Sequence, residues 1–520
     1  MSDAGKWQPT RREVLVYGAG ALAALSVAPV IAACAPGSST TTTKRGGTLK
    51  HGLQSAKTTD SFDPARSITD IEIFGNGLLY DRLLAMDSGW NLSPSLASDF
   101  SPSSDVATWS FKIRSGVEFH NGKTLTSADV KAHILRLLDK ANGNAGYGLL
   151  HPIIDAGNIS TPDSSTIKFT LNSPDAFFGV KAAHYTAFVP WAGTTDYVNS
   201  PVGTGPFKLK SFQPGAGFEM VRNPNYWKSG QPLLDGVTAV NIPDIQTLIE
   251  GCLSGDVDLM TLVPSSSYAT FASSSTAELL DLKSYSPYLY DIDSSIKPYS
   301  DPRVSKAMKM LINRQQFLDV LFKGHGLVSA DSMVAPVDPF YPPDLKPFPY
   351  DPEQAKSLLA AAGYASGFKD NLWSSSAYPY LDDAAAFAKQ AWGVANLDMT
   401  IQSVSNDAYI AAFLHQPIVM DYALRLHPVT MFEAYMQGSS PSNISRLHDD
   451  QIDGWIKELE RTVDPSKQKQ LSGEIIHRYN DIAAEIVPVH FAQYWGKKKR
   501  VQGLQLDPMT NVDLRGAYLG

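Results

Sequence analysis

The segment nearest to a chemical motif is Gly116-Val-Glu-Phe-His-Asn-Gly122-Lys123-Thr124, where two glycines precede a lysine and a hydroxyl residue. A phosphate-cradling loop needs four residues between its glycines so that successive amides wrap one phosphate, and here there are five. Asn121-Gly122 is a favoured turn pair, so the segment reads as a strand running into a tight turn. Gly18-Ala-Gly20 has Ala23 where a dinucleotide fingerprint requires its third glycine. The sequence has no Gly-x-Ser-x-Gly elbow and no His-Glu-x-x-His helix, and Cys34 and Cys252 lack metal-type spacing. His477, at helical spacing from Gly473 and Asp481, reads as a structural or surface residue. The run Lys497-Lys-Lys-Arg500 reads as a solvated turn, with contact to anionic lipid or a partner as the alternative. No catalytic residue, metal ligand set or cofactor is expected. An extracellular hydrolase is a third class, and turnover of a candidate ligand would distinguish it.

The body that carries these residues is large. At 520 residues the chain should hold two or more packed units, and 43% hydrophobic with 18% charged residues describes a globular protein of low charge content. A net charge of −8 argues against a general nucleic-acid binder, which needs a basic face to neutralise phosphates. Residues 1–33 read as an export signal: Thr10-Arg11-Arg12 precedes an uncharged apolar stretch from Val14 to Ala33. The arginine pair resembles a twin-arginine signal. Ile31-Ala32-Ala33-Cys34 resembles a bacterial lipobox, which implies a lipid on Cys34 and a membrane anchor at the outer face of the bacterial cytoplasmic membrane. The alternative is a single transmembrane helix, weakened by Gly18, Gly20 and Pro29. With Cys34 lipidated, Cys252 is the one remaining thiol and reads as a small packed hydrophobe. Residues 34–47, rich in Gly, Ser and Thr, read as a flexible tether of roughly 20 Å root-mean-square span.

From Thr48 the chain mixes strand and helix patterns, which indicates an α/β or α+β architecture. Apolar and polar residues alternate in Thr108–Arg114, Thr166–Leu171 and Gly205–Phe212, as in strands with one wet face. Asp301-Pro302, Asp351-Pro352 and Asp464-Pro465 each place a capping carboxylate before a proline at the first helical position, so each should start a helix. Gly363 is a suitable left-handed stop for the second. Thr126-Ser-Ala-Asp129 predicts a capping box. The stretch Pro336–Pro352, with Phe340, Tyr341, Phe348 and Tyr350 among its prolines, reads as a packed surface loop.

Several segments, in order, resemble one family. Gly77–Leu84, Trp109–Val130, Val202–Phe207, Arg222–Trp227, Gly255–Leu259, Asp301–Val304 and Tyr350–Gly363 look like the bacterial extracellular solute-binding family 5, the peptide, oligopeptide and nickel-complex receptors of ABC importers. The resemblance implies an α/β, two-lobed, periplasmic-binding-protein-like (type II) fold with a hinge and an extra subdomain on the first lobe. On this chain lobe I would comprise 46–65, 191–287 and 489–520, the extra subdomain 66–190, and lobe II 288–488. The hinge would lie in Ser286-Pro-Tyr-Leu-Tyr290 and Val487-Pro-Val-His490. It further implies a monomeric receptor that performs no chemistry, closes on a solute, and delivers it to a permease and ATPase. Peptides or modified peptides lead the ligand classes. Oligosaccharides, metal chelates or other small organic solutes are the alternatives, as is a surface sensor or chaperone-like binder on the same fold.

By the same resemblance Ile68, Thr69 and Asp70 face the cleft, and Tyr147, Tyr288 and Tyr290 line its walls. Peptide-binding relatives anchor the ligand amine on an aspartate in a Trp-x-x-Asp segment. Counting on from Asp421-Tyr-Ala-Leu424 puts His427 at the tryptophan and Thr430 at the aspartate, so both anchors are missing and free-amine peptides are disfavoured. A gapped count offers Glu433 instead. Arg425 or Arg66 would pair with a ligand carboxylate, and Trp373 and His427 would stack on the ligand.

Overall fold

The computed structural model describes residues 44–520 apart from 143–144, 377–379, 406–407, 410–414, 444 and 509–510. The expected export signal, the lipidation site Cys34 and the tether up to residue 43 therefore lie outside the described residues. Among the described residues no helix is long and apolar enough to cross a membrane.

Three sheets organise the chain. The first has seven strands in the order Ala277–Asp281, Tyr494–Lys498, Leu259–Met260, Thr48–Leu53, Gly236–Asn241, Gly217–Arg222 and Phe207–Gln213. Thr48–Leu53 lies parallel to two neighbours, with His51 opposite Ala239 on one side and Leu259 on the other. The second has six strands in the order Gly326–Val328, Val489–Phe491, Ser286–Ile292, Ile418–Tyr422, Phe368–Ser374 and Leu397–Ser403. The third is antiparallel: Ala97–Pro102, Thr108–Ile113, Thr166–Thr170 and Ile159–Asp163. Each of the first two sheets forms a lobe with its own buried cluster, around Phe62, Phe74, Phe218 and Trp495 in one and around Tyr288, Tyr290, Phe317 and Trp392 in the other.

The chain passes from the first sheet to the second through 282–285 and returns through Ala492-Gln493. Leu282 N donates to Gln493 O at 3.1 Å and Gln493 N to Ser284 Oγ at 3.1 Å, so the two crossings are tied to each other. Lys283 and Tyr285 hold φ of 52° and 42°, left-handed values that cost free energy in residues bearing a Cβ. Val489–Phe491, placed in the first lobe by the sequence reading, pairs instead with Ser286–Ile292 and Gly326–Val328 of the second sheet. The return to the first lobe comes after Phe491.

The helix starts follow the capping chemistry. Asp301, Asp351 and Asp464 accept from Arg303 N, Gln354 N and Lys467 N, and the helices run Pro302–Met310, Pro352–Ala361 and Pro465–Ile482. Gly363 has φ +92°. Thr126 and Asp129 form the capping box of Ser127–Leu137. Glu118 bridges Thr124 around Gly122 at φ +77°, the strand and turn expected there.

Only the second half of the lysine run, Lys499-Arg500, is the exposed turn expected there. Lys497 and Lys498 end a strand, are 9% and 8% exposed, and meet Glu278 and Thr276 while Arg500 reaches Asp258 at 2.7 Å. Their stems pack while their heads find partners far away in sequence. Cys252 is buried among Leu248, Ile249 and Val257, which pushes its thiol up to about 12.

Candidate functional site

Between the lobes lies a cavity of about 380 Å³. Leu53 and Trp495 of the first sheet and Thr261, just after the strand Leu259–Met260, form one wall with Ile73 and Phe74 of the helix Asp70–Leu79. Leu424, Arg425 and Leu426, which follow the second-sheet strand Ile418–Tyr422, form the opposite wall. The crossings contribute Leu282, Lys283, Ser284 and Gln493, with Ser286 at the start of its strand beside them, while Ser88, Trp90 and His184 close the side toward the third sheet. The mixture of apolar and aromatic walls with few polar groups is that of a small-molecule site. A larger open groove of about 1060 Å³ lies beside Asp450–Arg461 and Pro465–Ile482, with walls from the second-lobe side alone.

Ile68, Asp70 and Arg425 are the expected residues that the structure brings into the cavity wall. Asp70 stands at the first position of its helix, where the amide dipoles favour a carboxylate, yet burial pushes its carboxyl up to about 6. Arg425 lines the cavity, but its guanidinium is already engaged. Its Nε donates to Asp338 Oδ1 at 3.1 Å, both terminal nitrogens reach Ser88 O at 3.1 Å, and the group lies 4.7 Å over the Trp90 ring.

The structure places the other expected residues outside this cavity wall. Tyr288 and Tyr290 do not line the cleft: both are fully buried in the second-lobe core, donating to Tyr380 O and Ala384 O at 3.1 Å. Thr69 faces away, donating to Asp60 Oδ1 at 2.9 Å while it caps its helix with Glu72. Tyr147 stacks on His151 at 4.5 Å, outside the cavity. Trp373 pairs with Val419 within the second sheet. His427 is 5% exposed among Trp90, Phe177 and Phe340, caps Pro428–Met431, and is held down to about 3 by burial. Thr430 lies beside it in a separate pocket of about 20 Å³. Arg66 donates to Asn142 Oδ1 at 3.1 Å and is no part of the cavity wall. Glu433 is occupied by Lys181 at 2.8 Å.

The sequence reading missed Phe74, Trp495 and Thr261, which come from distant segments with no local motif, and the contacts that bring the lobes together. Trp90 has φ 68° in a turn where Asp87 Oδ1 accepts from Gly89 N and Asn91 N at 2.8 and 2.9 Å. That turn presents the Trp90 indole to Asp338, 2.7 Å away on the second-lobe loop. Lys181 bridges Asp175 and Glu433 at 2.7 and 2.8 Å, and Ala176 N donates to Glu460 O at 2.6 Å. The third sheet and the second lobe thus share one buried cluster, in which Trp109 and Phe111 join Phe432 and Ile456.

The family model for bacterial extracellular solute-binding proteins, family 5 Middle, matches residues 91–442. A glutathione-binding protein GsiB of Escherichia coli O1:K1 is 30% identical over 334 residues, covering 63% of this chain and 64% of that protein. The chain thus spans less than two thirds of the curated relatives it matches. Among solved structures, the periplasmic binding protein DppA of Helicobacter pylori in complex with the peptide STSA superposes with a TM-score of 0.78 at 21% identity, over 92% of this chain and 99% of that one. The binding protein AgaA of Agrobacterium strain R10, in complex with agropinic acid, gives 0.77 at 23% identity, over 91% and 99%. At these identities the structural likeness is one of fold, a two-lobed periplasmic-binding-protein fold of α/β class. The relatives compared are binding proteins, not enzymes.

Proposed function

The chain belongs to the bacterial extracellular solute-binding proteins of family 5, and from that membership we propose that it is the substrate-binding lipoprotein of an ABC importer. It captures a solute, foremost a peptide or modified peptide, between its two lobes and delivers it to a membrane permease driven by a separate ATPase. The observation that carries this reading is the cavity itself: its walls come from both lobes and from both crossings. A solute there touches both lobes at once only when they are together, so its differential affinity for the closed form drives closure. Lobe I with its added subdomain and lobe II serve as the two jaws, and Cys34 serves as the lipid anchor that keeps the protein at the outer face of the membrane. No step of covalent chemistry is required of any residue.

The test is small-angle scattering of protein stripped of solute and then reloaded from the original extract. Reloading should reduce the radius of gyration and raise the melting temperature together. No change in either, with solute demonstrably bound, would remove hinge closure from the account.

A further inference from the structure

Every cationic group in or behind the solute cavity already has a carboxylate or lacks a charge. Arg425 is held by Asp338, Lys283 donates to Asp281, and Arg82 is paired with Asp507 of the wall. His184 and His51, the latter packed 4.3 Å from Phe74 and 5.0 Å from Trp495, are kept neutral by burial. Asp70 is different. Among the described residues no hydrogen bond or ion pair reaches its carboxylate, which sits with Ile68, Ile73 and Phe74 in the same wall. The residue is half-buried, and a carboxylate partly withdrawn from water without a partner is destabilised.

Two further groups in this wall are unsatisfied. Thr261 is 4% exposed and Ser286 1% exposed, and among the described residues neither side-chain oxygen, both closed to solvent, has a hydrogen-bond partner. Buried hydroxyls are normally satisfied, and two orphans behind the wall that carries an unpaired carboxylate make this region poor in internal partners.

We propose that Asp70 is the cation anchor of the solute site: it receives an ammonium or guanidinium group of the solute. This rests on the cavity being the solute site. It replaces the amine anchor that Thr430 cannot supply and that Glu433, bound to Lys181, does not offer. The volume of about 380 Å³ stands at the small end of ligand pockets, so the solute is a compact amine or a peptide of very few residues.

The experiment is calorimetric titration of the full chain with matched pairs, trialanine and N-acetyl-trialanine, glutathione and N-acetyl-glutathione, alongside mass analysis of the solute extracted from freshly purified protein. Wild type and Asp70→Asn are compared, with melting curves to establish that each is folded. A free amine that binds wild type should bind Asp70→Asn at least about thirtyfold more weakly, the scale of a lost charge-assisted contact, while its acetylated partner binds neither well. If the panel fails to bind, an extracted solute with a basic nitrogen that is absent from Asp70→Asn protein supports the same assignment. Equal binding of amine and acetylated forms, undiminished binding or retention by Asp70→Asn, or an extracted solute without a basic nitrogen would overturn the anchor and leave the receptor reading intact. No bound solute from panel or extract would overturn both.

Discussion

The Trp90 indole N–H donates to Asp338 Oδ1 at 2.7 Å, and this one bond joins the third-sheet side of the molecule to the proline-rich loop of the second lobe. The same oxygen accepts from Arg425 Nε at 3.1 Å, and the Asp338 side chain has no exposed surface. One carboxylate therefore holds an indole from one jaw and a guanidinium from the other, at the rim of the solute cavity.

Asp338→Ala should loosen closure. Removing the carboxylate leaves the Arg425 guanidinium, whose side chain is 7% exposed, without its anion, a loss on the order of 3–5 kcal/mol when one partner of a buried pair is deleted. A lower melting temperature with a larger radius of gyration is expected. Unchanged scattering would mean that apolar packing alone keeps the jaws together.

Asp81→Ala should be among the most destabilising single changes in the first lobe. Its fully buried carboxylate accepts from Thr204 Oγ1 at 3.0 Å, Tyr226 Oη and Trp227 Nε1 at 2.9 Å, and Arg515 at 2.7 Å. Chemical denaturation should show a loss of about 3–5 kcal/mol, and Asp81→Asn a smaller one. A midpoint within error of wild type would contradict the network.

Much of what is recognisable in the sequence converges on that carboxylate. The family-like segments around Asp81, Thr204 and Tyr226-Trp227 meet there, and Gly203 and Gly205 lie against the Leu79 and Leu78 carbonyls, where a Cβ would approach to 2.0 and 2.4 Å. These signatures are packing requirements of the scaffold, so they disclose the fold and say little about the solute. Helix starts were legible because an Asp-Pro cap is a local device. The cleft was not. Alternation shows that Ser286, Tyr288 and Tyr290 share one strand face, but not that Ser286 meets the cavity while both tyrosines enter the core. The lysines at 497 and 498 misled for a similar reason: Lys497 stands opposite Glu278 across two strands, a partner that no local charge pattern predicts.

Stability should depend on pH through Glu485. Burial, opposed by a hydrogen bond from Tyr479 and by the nearby Lys309, pushes its carboxyl up to about 7. The native state thus holds a proton that the unfolded chain releases near 4.5, so this group's contribution is present below pH 4.5 and lost as pH rises through 7. Asp331 and Asp421 add to the negative field. From pH 4.5 to pH 7.5, Glu485→Gln should gain on wild type by on the order of 1–3 kcal/mol in urea denaturation. Parallel profiles would show that folding leaves the Glu485 carboxyl at its ordinary value.

Anchoring and export can be separated. Cys34→Ala should release the protein from the membrane fraction, and Arg11-Arg12→Lys-Lys should abolish its export. Continued tight membrane association of Cys34→Ala would favour a transmembrane segment at residues 14–33, and normal delivery of the arginine variant would refute a twin-arginine route.

Solute capture between the lobes is tested most directly by native mass spectrometry of freshly purified protein, wild type and a Trp495→Ala variant that opens the cavity wall. The account predicts a population heavier than the chain by one small organic solute, released on gentle activation and depleted in the variant. A wild-type spectrum with the bare chain alone, and no mass increase after incubation with peptides or the growth medium, would contradict it.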